Sequence, residues 1–464
     1  MKTNAIILAA GKGTRMRSLN KEVSKVAFPL LGQPLVSYVL DATENIVDGK
    51  KVVVVGFGGN KTQEIVSGRA EVVWQHEQKG TGHAVMQARK LLSTDKNNTL
   101  ILSGDVPLLS EETLKEMIDA HTKNNAKLTV MSAKPALNYG YGRIVRDENG
   151  NLLKIVEQAD ATEEEKEIRE VNAGTYLINN ELLFKHLDEL NSENKQNEIY
   201  LTDMISLFIE KGYKVGVYTL KDSNEMLGIN NRVQLAEAEK LMRKRINEGH
   251  MLSGVSIENP DNTYIGPKVK IGQDTYVGAG VHLLGNTVIG NKNTIIGDTY
   301  IEDSEIGEGN KITSSNIVGA KIGNNNNIGP MARMRGTNII GNNTRIGNFV
   351  EFKSVIFGNG SKCAHLSYLG DAIVGENTNI GCGTITANYD GVNKSKTIIG
   401  DNVFVGSGVT IIAPVTIESN SFLAAGSTIN RDVKENDLAI ARERQTNKEG
   451  YGKIILERAK AKKK

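Results

Sequence analysis

The sequence predicts two architectures in series: an α/β domain with a Rossmann-like, mostly parallel sheet, then a left-handed parallel β-helix of hexapeptide repeats. Three observations carry this reading. The first half alternates short β-type runs with amphipathic helical stretches, the pattern of a sheet covered by helices. The second half repeats an aliphatic residue every six positions, a period that fits neither a helix nor an alternating strand and marks a triangular prism of coils. Glycine (48 residues) and asparagine are abundant, as in Gly323-Asn324-Asn325-Asn326-Asn327, and both tolerate the left-handed backbone that turns a prism corner.

Taken in order, residues 5–10, 51–56, 99–102, 127–132 and 171–178 read as strands of the first domain, assigned to residues 1–228. Residues 229–250, rich in Leu, Ala, Glu, Lys and Arg, read as one connecting helix. Residues 251–464 form the repeat domain and its tail. Its inward positions are Ile265, Ile271, Val277, Leu283, Ile289, Ile295 and Ile301, then Ile322, Ile328, Met334, Ile340, Ile346 and Phe352, then Val405, Ile411, Ile417, Leu423 and Ile429. Through residue 437 the pattern is long enough for roughly ten coils. The basic end, Arg458 to Lys464, reads as a solvated tail.

A chain of 464 residues has room for two or three domains. A net charge of +2 argues against a nucleic-acid binder, which carries a strongly basic domain. No apolar run reaches the length of a membrane span. Met1-Lys2-Thr3-Asn4 leads straight into a strand, without the apolar region of a secretory signal, and there are two cysteines, Cys363 and Cys382. The expectation is a reduced cytoplasmic protein without a disulfide.

The first strand runs into Gly11-Lys12-Gly13-Thr14-Arg15-Met16. A strand followed by a glycine-rich turn lets backbone amides approach a phosphate. The spacing is neither that of a P-loop nor, lacking a third glycine, that of a dinucleotide fingerprint. The full string from Leu8-Ala9-Ala10-Gly11 through Met16 resembles the signature loop of the sugar-1-phosphate nucleotidyltransferases. Lys25 before Val26-Ala27-Phe28-Pro29, Gln75 with Gly80-Thr81-Gly82-His83, and Ser103-Gly104-Asp105 match further segments of that family. So do Tyr141-Gly142-Arg143, Glu157, Asn172 and Gly228-Ile229-Asn230-Asn231.

The resemblance implies roles. Joining a sugar phosphate to UTP brings two anions together, so cations are needed at the transferred and leaving groups, here Arg15 and Lys25. Mg²⁺ takes hard oxygen ligands and few from protein, here Asp105 and Asn230. Leu8, Ala9, Ala10, Gly11, Gln75, Gly80 and Thr81 are expected around the uracil, Gly142, Glu157 and Asn172 around the sugar, and Ser103 and Gly104 against the substrate at the strand end that holds the metal. The 17–24 segment is longer than the family's usual loop, which leaves Lys21 as an alternative cation to Lys25. Asn197-Glu198-Ile199-Tyr200 also departs from the family pattern.

Within the repeats, one stretch gathers polar residues. It holds Lys353, then Cys363-Ala364-His365-Leu366-Ser367-Tyr368, then Asn379-Ile380-Gly381-Cys382 and Asn388-Tyr389-Asp390-Gly391. With the first motif set in front of it, the whole chain resembles a family of bifunctional enzymes. These join an N-acetylglucosamine-1-phosphate uridyltransferase to a glucosamine-1-phosphate acetyltransferase and supply UDP-N-acetylglucosamine, a peptidoglycan precursor. Acetyl transfer needs a free amine, and histidine is the side chain suited to taking its proton near neutral pH.

By resemblance that base is His365. Arg335, Lys353 and Lys394 meet the sugar phosphate, and Tyr368 and Asn379 hold the sugar. Cys382, Asn388, Tyr389, Ser407, Ala425 and Arg442 meet acetyl-CoA, with Cys382 lining its path rather than accepting the acyl group. The resemblance also implies a homotrimer whose acetyl sites are shared between subunits. Two rivals remain: a nucleotidyltransferase of other specificity with a purely scaffolding prism, and a non-catalytic assembly subunit.

Overall fold

The computed structural model describes residues 2–20, 23–136 and 140–463. Lys21 and Lys464 lie outside them. The chain divides into two compact units, Met1–Glu248 and Gly249–Lys464.

The first unit is built on one twisted sheet. Its central strands run in the order Val215–Thr219, Leu128–Ala133, Val171–Asn179, Asn98–Ser103, Thr3–Ala9, Lys51–Val55, Glu71–Trp74. All neighbours are parallel except Val171–Asn179, which runs antiparallel to both of its partners. Alternation along Thr3–Ala9 divides the core in two. Ala5, Ile7 and Ala9 pack into one apolar layer and Ile6 into the other, as a sheet buried on both faces requires. Successive connections leave the first strand in opposite directions, toward Lys51–Val55 on one side and Asn98–Ser103 on the other. The crevice at its C-terminal end is therefore a topological switch point, where open α/β sheets bind ligands.

The long helix spans Arg232–Leu252, starting later than its composition implies. The preceding residues are otherwise engaged: Ile229 N donates to the Asp105 carbonyl at 3.0 Å, and Asn230 N to Gln234 Oε1 at 2.8 Å. Asn231 caps the helix, its Oδ1 accepting from Gln234 N at 2.9 Å. Among the described residues no helix is long and apolar enough to cross a membrane.

The second unit is a stack of parallel coils. Nine strands, from Lys270–Ile271 to Val415–Ile417, form one ladder. The remaining nineteen form a second, continuous ladder because two nine-residue strands, Arg345–Lys353 and Lys362–Gly370, each carry two of its interleaved pairings. Inward positions are buried as the six-residue beat requires: Ile265, Val277, Leu283, Ile295 and Ile301 are fully covered. Ile271 is only half-buried, because its strand ends its ladder and has one neighbour instead of two. Where the beat lapses after Ile301, the sides of the prism are a residue short, and Ile306, Ile312 and Ile317 carry the core on.

The interior also contains a polar file. Asn310 N and Nδ2 both donate to Asn293 Oδ1, at 2.8 and 3.0 Å. Asn326 N and Nδ2 both donate to Asn310 Oδ1 at 2.9 Å, and Thr344 N and Oγ1 to Asn326 Oδ1 at 2.7 Å. The three asparagines are essentially inaccessible, so each coil satisfies the buried groups of the next. Asn310→Ala leaves both Asn326 donors buried and unpaired. It is expected to destabilise the prism by about 2–3 kcal/mol, against about 0.5 kcal/mol or less for exposed Lys311→Ala, in urea unfolding of the intact chain.

Candidate active sites

Two residue constellations stand out, one in each unit. In the first, the strand ends bring most of the expected residues to two adjoining hollows. One, of about 360 Å³, is lined by Leu8, Ala10, Gly11, Gln75, Gly80 and Thr81. The other, of about 270 Å³, is lined among others by Ser103, Asp105, Gly142, Glu157, Asn172 and Asn230. Leu8 and Thr81 border both. Ala9 points the other way, into the core, so only its backbone is on offer. Gly104 is not among the residues lining either hollow; its N donates to the Leu8 carbonyl at 2.9 Å.

The hollows are firmly framed. Buried Gln75 is held by its Nε2, which donates to the Gly80 carbonyl at 3.1 Å and lies 3.0 Å from His83 Nδ1. The divergent Asn197–Tyr200 segment closes the first hollow. Ile199 N bonds the Lys79 carbonyl and Gly82 N bonds the Ile199 carbonyl, both at 2.8 Å, and Glu198 joins the lining. Asn172 is fixed by Tyr176 Oη at 2.7 Å and by Gly174 N at 3.0 Å. Thr202, which sequence reasoning did not single out, donates to Glu157 Oε1 at 3.1 Å. Its signal lay only in its proximity to the divergent segment.

Between the hollows and the glycine-rich turn sits a charged cluster. Lys25 Nζ donates to Asp105 Oδ2 and, at 2.9 Å, to Asn230 Oδ1; Arg15 Nη2 donates to the same Asn230 oxygen at 3.0 Å. Two hard oxygens that share one ammonium are close enough to share one small cation. Their chemistry therefore fits a divalent ion that takes few protein ligands.

The second constellation follows the coil register. Arg335 pairs with Lys353, Glu351 with Tyr368, and Lys353 with Gly370 in successive coils. Arg335 Nε donates to Glu351 Oε1 at 2.8 Å. Lys353 Nζ donates to both Asp371 oxygens at 2.7 Å, and Asn388 Nδ2 donates to Asp371 Oδ2 at 2.6 Å. Glu351, Gly370 and Asp371 stand in the polar stretch of the sequence but carry no role there, because each meets its partner from a neighbouring coil. A side chain at Gly370 would fall on the Tyr368 hydroxyl and the Asn388 amide, so glycine there makes the room in which they meet.

His365 is exposed and aligned with Asn348 in the coil before; its Nδ1 lies 3.4 Å from Asn348 Oδ1. The same corner repeats downward. Gly383 N bonds the Leu366 carbonyl at 2.9 Å, Gly408 N the Cys382 carbonyl at 2.7 Å, and Gly426 N the Ser407 carbonyl at 2.8 Å. His365, Cys382, Ser407 and Ala425 thus form one file, and Arg442 Nη1 closes on the Ala425 carbonyl at 2.6 Å.

The Asn388-Tyr389-Asp390-Gly391 segment leaves the coil as a small hairpin. Tyr389 pairs with Lys394, and Asp390 Oδ1 accepts from Val392 N and Asn393 N at 2.8 and 2.6 Å. Asn379 belongs to a different ladder position, paired with Lys362 and Phe404, and is not brought beside Lys353 within the chain. Burial pushes the Cys363 thiol up to about 12, which leaves exposed Cys382 the more reactive of the two.

Residues 4–224 match the nucleotidyl transferase family and residues 396–431 the bacterial transferase hexapeptide (six repeats) family. Full-length relatives include the bifunctional protein GlmU of Exiguobacterium sibiricum, 47% identical over 96% of this chain and 99% of that protein. The bifunctional protein GlmU of Streptococcus uberis is 46% identical over 98% of this chain and 99% of its own length. That of Listeria innocua is likewise 46% identical, over 98% and 99%.

The Glu157 carboxyl is raised above the usual range, first by burial and then by Asp203, Asp160 and Glu198, against the Thr202 hydrogen bond. A raised folded pKa gives stability that is present below the ordinary carboxyl range and lost as pH rises through the raised value. Glu157→Gln is therefore expected to raise the melting temperature at neutral pH, with the gain shrinking on acidification. A gain that persisted unchanged in acid would show that ionisation is not its source.

Proposed function

Since the chain belongs to the family of bifunctional GlmU proteins, we propose that it makes UDP-N-acetylglucosamine in two steps. The second unit acetylates glucosamine 1-phosphate with acetyl-CoA. The first transfers UMP from UTP to N-acetylglucosamine 1-phosphate and releases pyrophosphate. The observation that carries this reading is the presence of two chemically different polar constellations on one chain whose full-length relatives are bifunctional.

In uridyl transfer the sugar phosphate is already ionised, so no protein nucleophile or base is required. A phosphate oxygen bonds to the α-phosphorus of UTP as the bond to the β-phosphate breaks. Arg15 and Lys25 stand where negative charge builds up. Asp105 and Asn230 hold Mg²⁺, which supplies further charge neutralisation at the phosphates when bound. The hollow around Gln75, Gly80 and Thr81 takes the uracil; that around Ser103, Gly142, Glu157 and Asn172 takes the sugar.

In acetyl transfer the amine lone pair attacks the thioester carbon, a C–N bond forms and the C–S bond breaks. His365 takes the ammonium-forming proton and returns one to the departing thiolate. A proton on Nδ1 directed at the Asn348 oxygen leaves the Nε2 lone pair free for this work. Arg335, Lys353 and Lys394 meet the phosphate, and Tyr368 and Asn379 the sugar. The cofactor lies along the file Cys382, Ser407, Ala425 to Arg442, beside Asn388 and Tyr389. Glycines 383, 408 and 426 keep that corner free of side chains.

Higher up, the corner carries Met331, Phe349 and Leu366, all in left-handed conformation and more than half exposed. Bulky apolar side chains held in that conformation, facing solvent, have no packing reason within one chain. A homotrimer that covers them, and that supplies Asn379 from another subunit, accounts for both features. A cytoplasmic location follows from this reading, since UTP and acetyl-CoA are its cosubstrates.

Asp105→Asn is expected to abolish pyrophosphate release from UTP and N-acetylglucosamine 1-phosphate while leaving acetylation intact. His365→Ala is expected to lower CoA release by at least about 100-fold, the scale of losing a general base, with uridyl transfer intact. Loss of both activities in either folded variant would contradict separate sites.

A further inference from the structure

We propose that Asp371 is a positioning residue for acetyl transfer, fixing the sugar-phosphate end of the site relative to its acyl end; this rests on the acetyltransferase reading above. Its carboxylate joins the two ends directly. Both oxygens accept from Lys353 Nζ at 2.7 Å, and one also accepts from Asn388 Nδ2 at 2.6 Å. Lys353 reaches it from the preceding coil and Asn388 from the following one. Three successive coils therefore meet at one carboxylate, and no other residue described at this site bonds to both Lys353 and Asn388.

The backbone aims the group. Asp371 turns a prism corner with φ +50°, and its N bonds the Lys353 carbonyl at 2.9 Å. The equivalent corners of the coils above are Asp303, Gly319, Gly336 and Ser354, where Gly319 N bonds the Glu302 carbonyl at 3.1 Å and Ser354 N the Arg335 carbonyl at 3.2 Å. The architecture asks only for a residue that tolerates this conformation, and glycine or serine meets that need at Gly319, Gly336 and Ser354. The other carboxylate in the file, Asp303, accepts from Asn286 N at 2.8 Å, whereas that of Asp371 is given to Lys353 and Asn388; the turn itself does not demand one.

Its surroundings favour the charged form. Burial pulls its pKa up, but the hydrogen bonds from Lys353 and Asn388 outweigh burial and hold it below the usual carboxylate range. Ion pair and amide are mostly covered, the Lys353 and Asp371 side chains being 17% and 18% exposed, so solvent does not readily replace either bond. Lys353 on its own is a flexible four-carbon stem with a point charge. Anchored by two oxygens, it presents a fixed N–H to a phosphate, and the same anchor sets Asn388 at the mouth of the hairpin.

The test compares wild type, Asp371→Asn, Asp371→Gly, Lys353→Met and the Asp371→Asn/Lys353→Met double variant in steady-state acetylation. Asparagine and glycine both accept the corner conformation, and glycine already occupies it in two coils above. The expected result for both Asp371 variants is a KM for glucosamine 1-phosphate raised roughly tenfold or more, the scale of losing a buried charge-assisted bond. Uridyl transfer should stay at wild-type values, the KM for acetyl-CoA should rise by less than that for glucosamine 1-phosphate because Asn388 loses one anchor, and the double variant should lose less than the two single losses combined. An unchanged sugar-phosphate KM, or losses that add in the double variant, would overturn the proposal. Wild type that fails to acetylate would instead refute the underlying reading.

Discussion

Coil-to-coil register is the constraint on which the second unit depends. Each coil is too thin to bury anything alone, so its inward aliphatic residue is covered only if it sits over the one before, as Ile295 sits over Val277. The buried asparagine file pins that register from inside, because a slip by one residue would leave the amides of Asn310 and Asn326 without partners. Once the register is set, outward residues far apart in sequence become neighbours. Arg335, Lys353 and Gly370 align on one face, and His365, Cys382, Ser407 and Ala425 on one corner. The site is in effect a surface pattern printed by the core.

The first unit solves a different problem by different means. Two anionic reactants must be brought together, and the groups that tolerate them come from the irregular ends of strands rather than from a repeat. Lys25, Arg15, Asp105 and Asn230 arrive from three separate connections. The tie from Ile229 N to the Asp105 carbonyl holds two of those connections together. The late start of the Arg232–Leu252 helix is the cost of freeing Asn230 for this cluster.

Much of this was legible in the sequence, and the remainder divides along physical lines. Periodicity exposes whatever repeats, so the prism and its inward residues could be read directly, apart from the short sides at Ile306 and Ile317 and the uncovered end at Ile271. Local strings expose what a motif contains, and Leu8, Gln75, Thr81, Asp105, Glu157 and Asn172, which line the hollows, were found that way. Partners brought in from another segment leave no local trace. Asp371, Glu351 and Asn348 meet theirs a coil away, and Thr202 meets Glu157 from a neighbouring segment. The vacancy at Gly370 carries meaning only once Tyr368 and Asn388 are seen around it.

The most direct test of the account is a single coupled assay of the purified wild-type chain with glucosamine 1-phosphate, acetyl-CoA, UTP and Mg²⁺, following free CoA thiol and pyrophosphate separately. Both should be released, with pyrophosphate lagging behind thiol and the lag abolished by added N-acetylglucosamine 1-phosphate. Pyrophosphate release only when N-acetylglucosamine 1-phosphate is supplied, with no thiol at any time, would contradict it and reduce the prism to a scaffold.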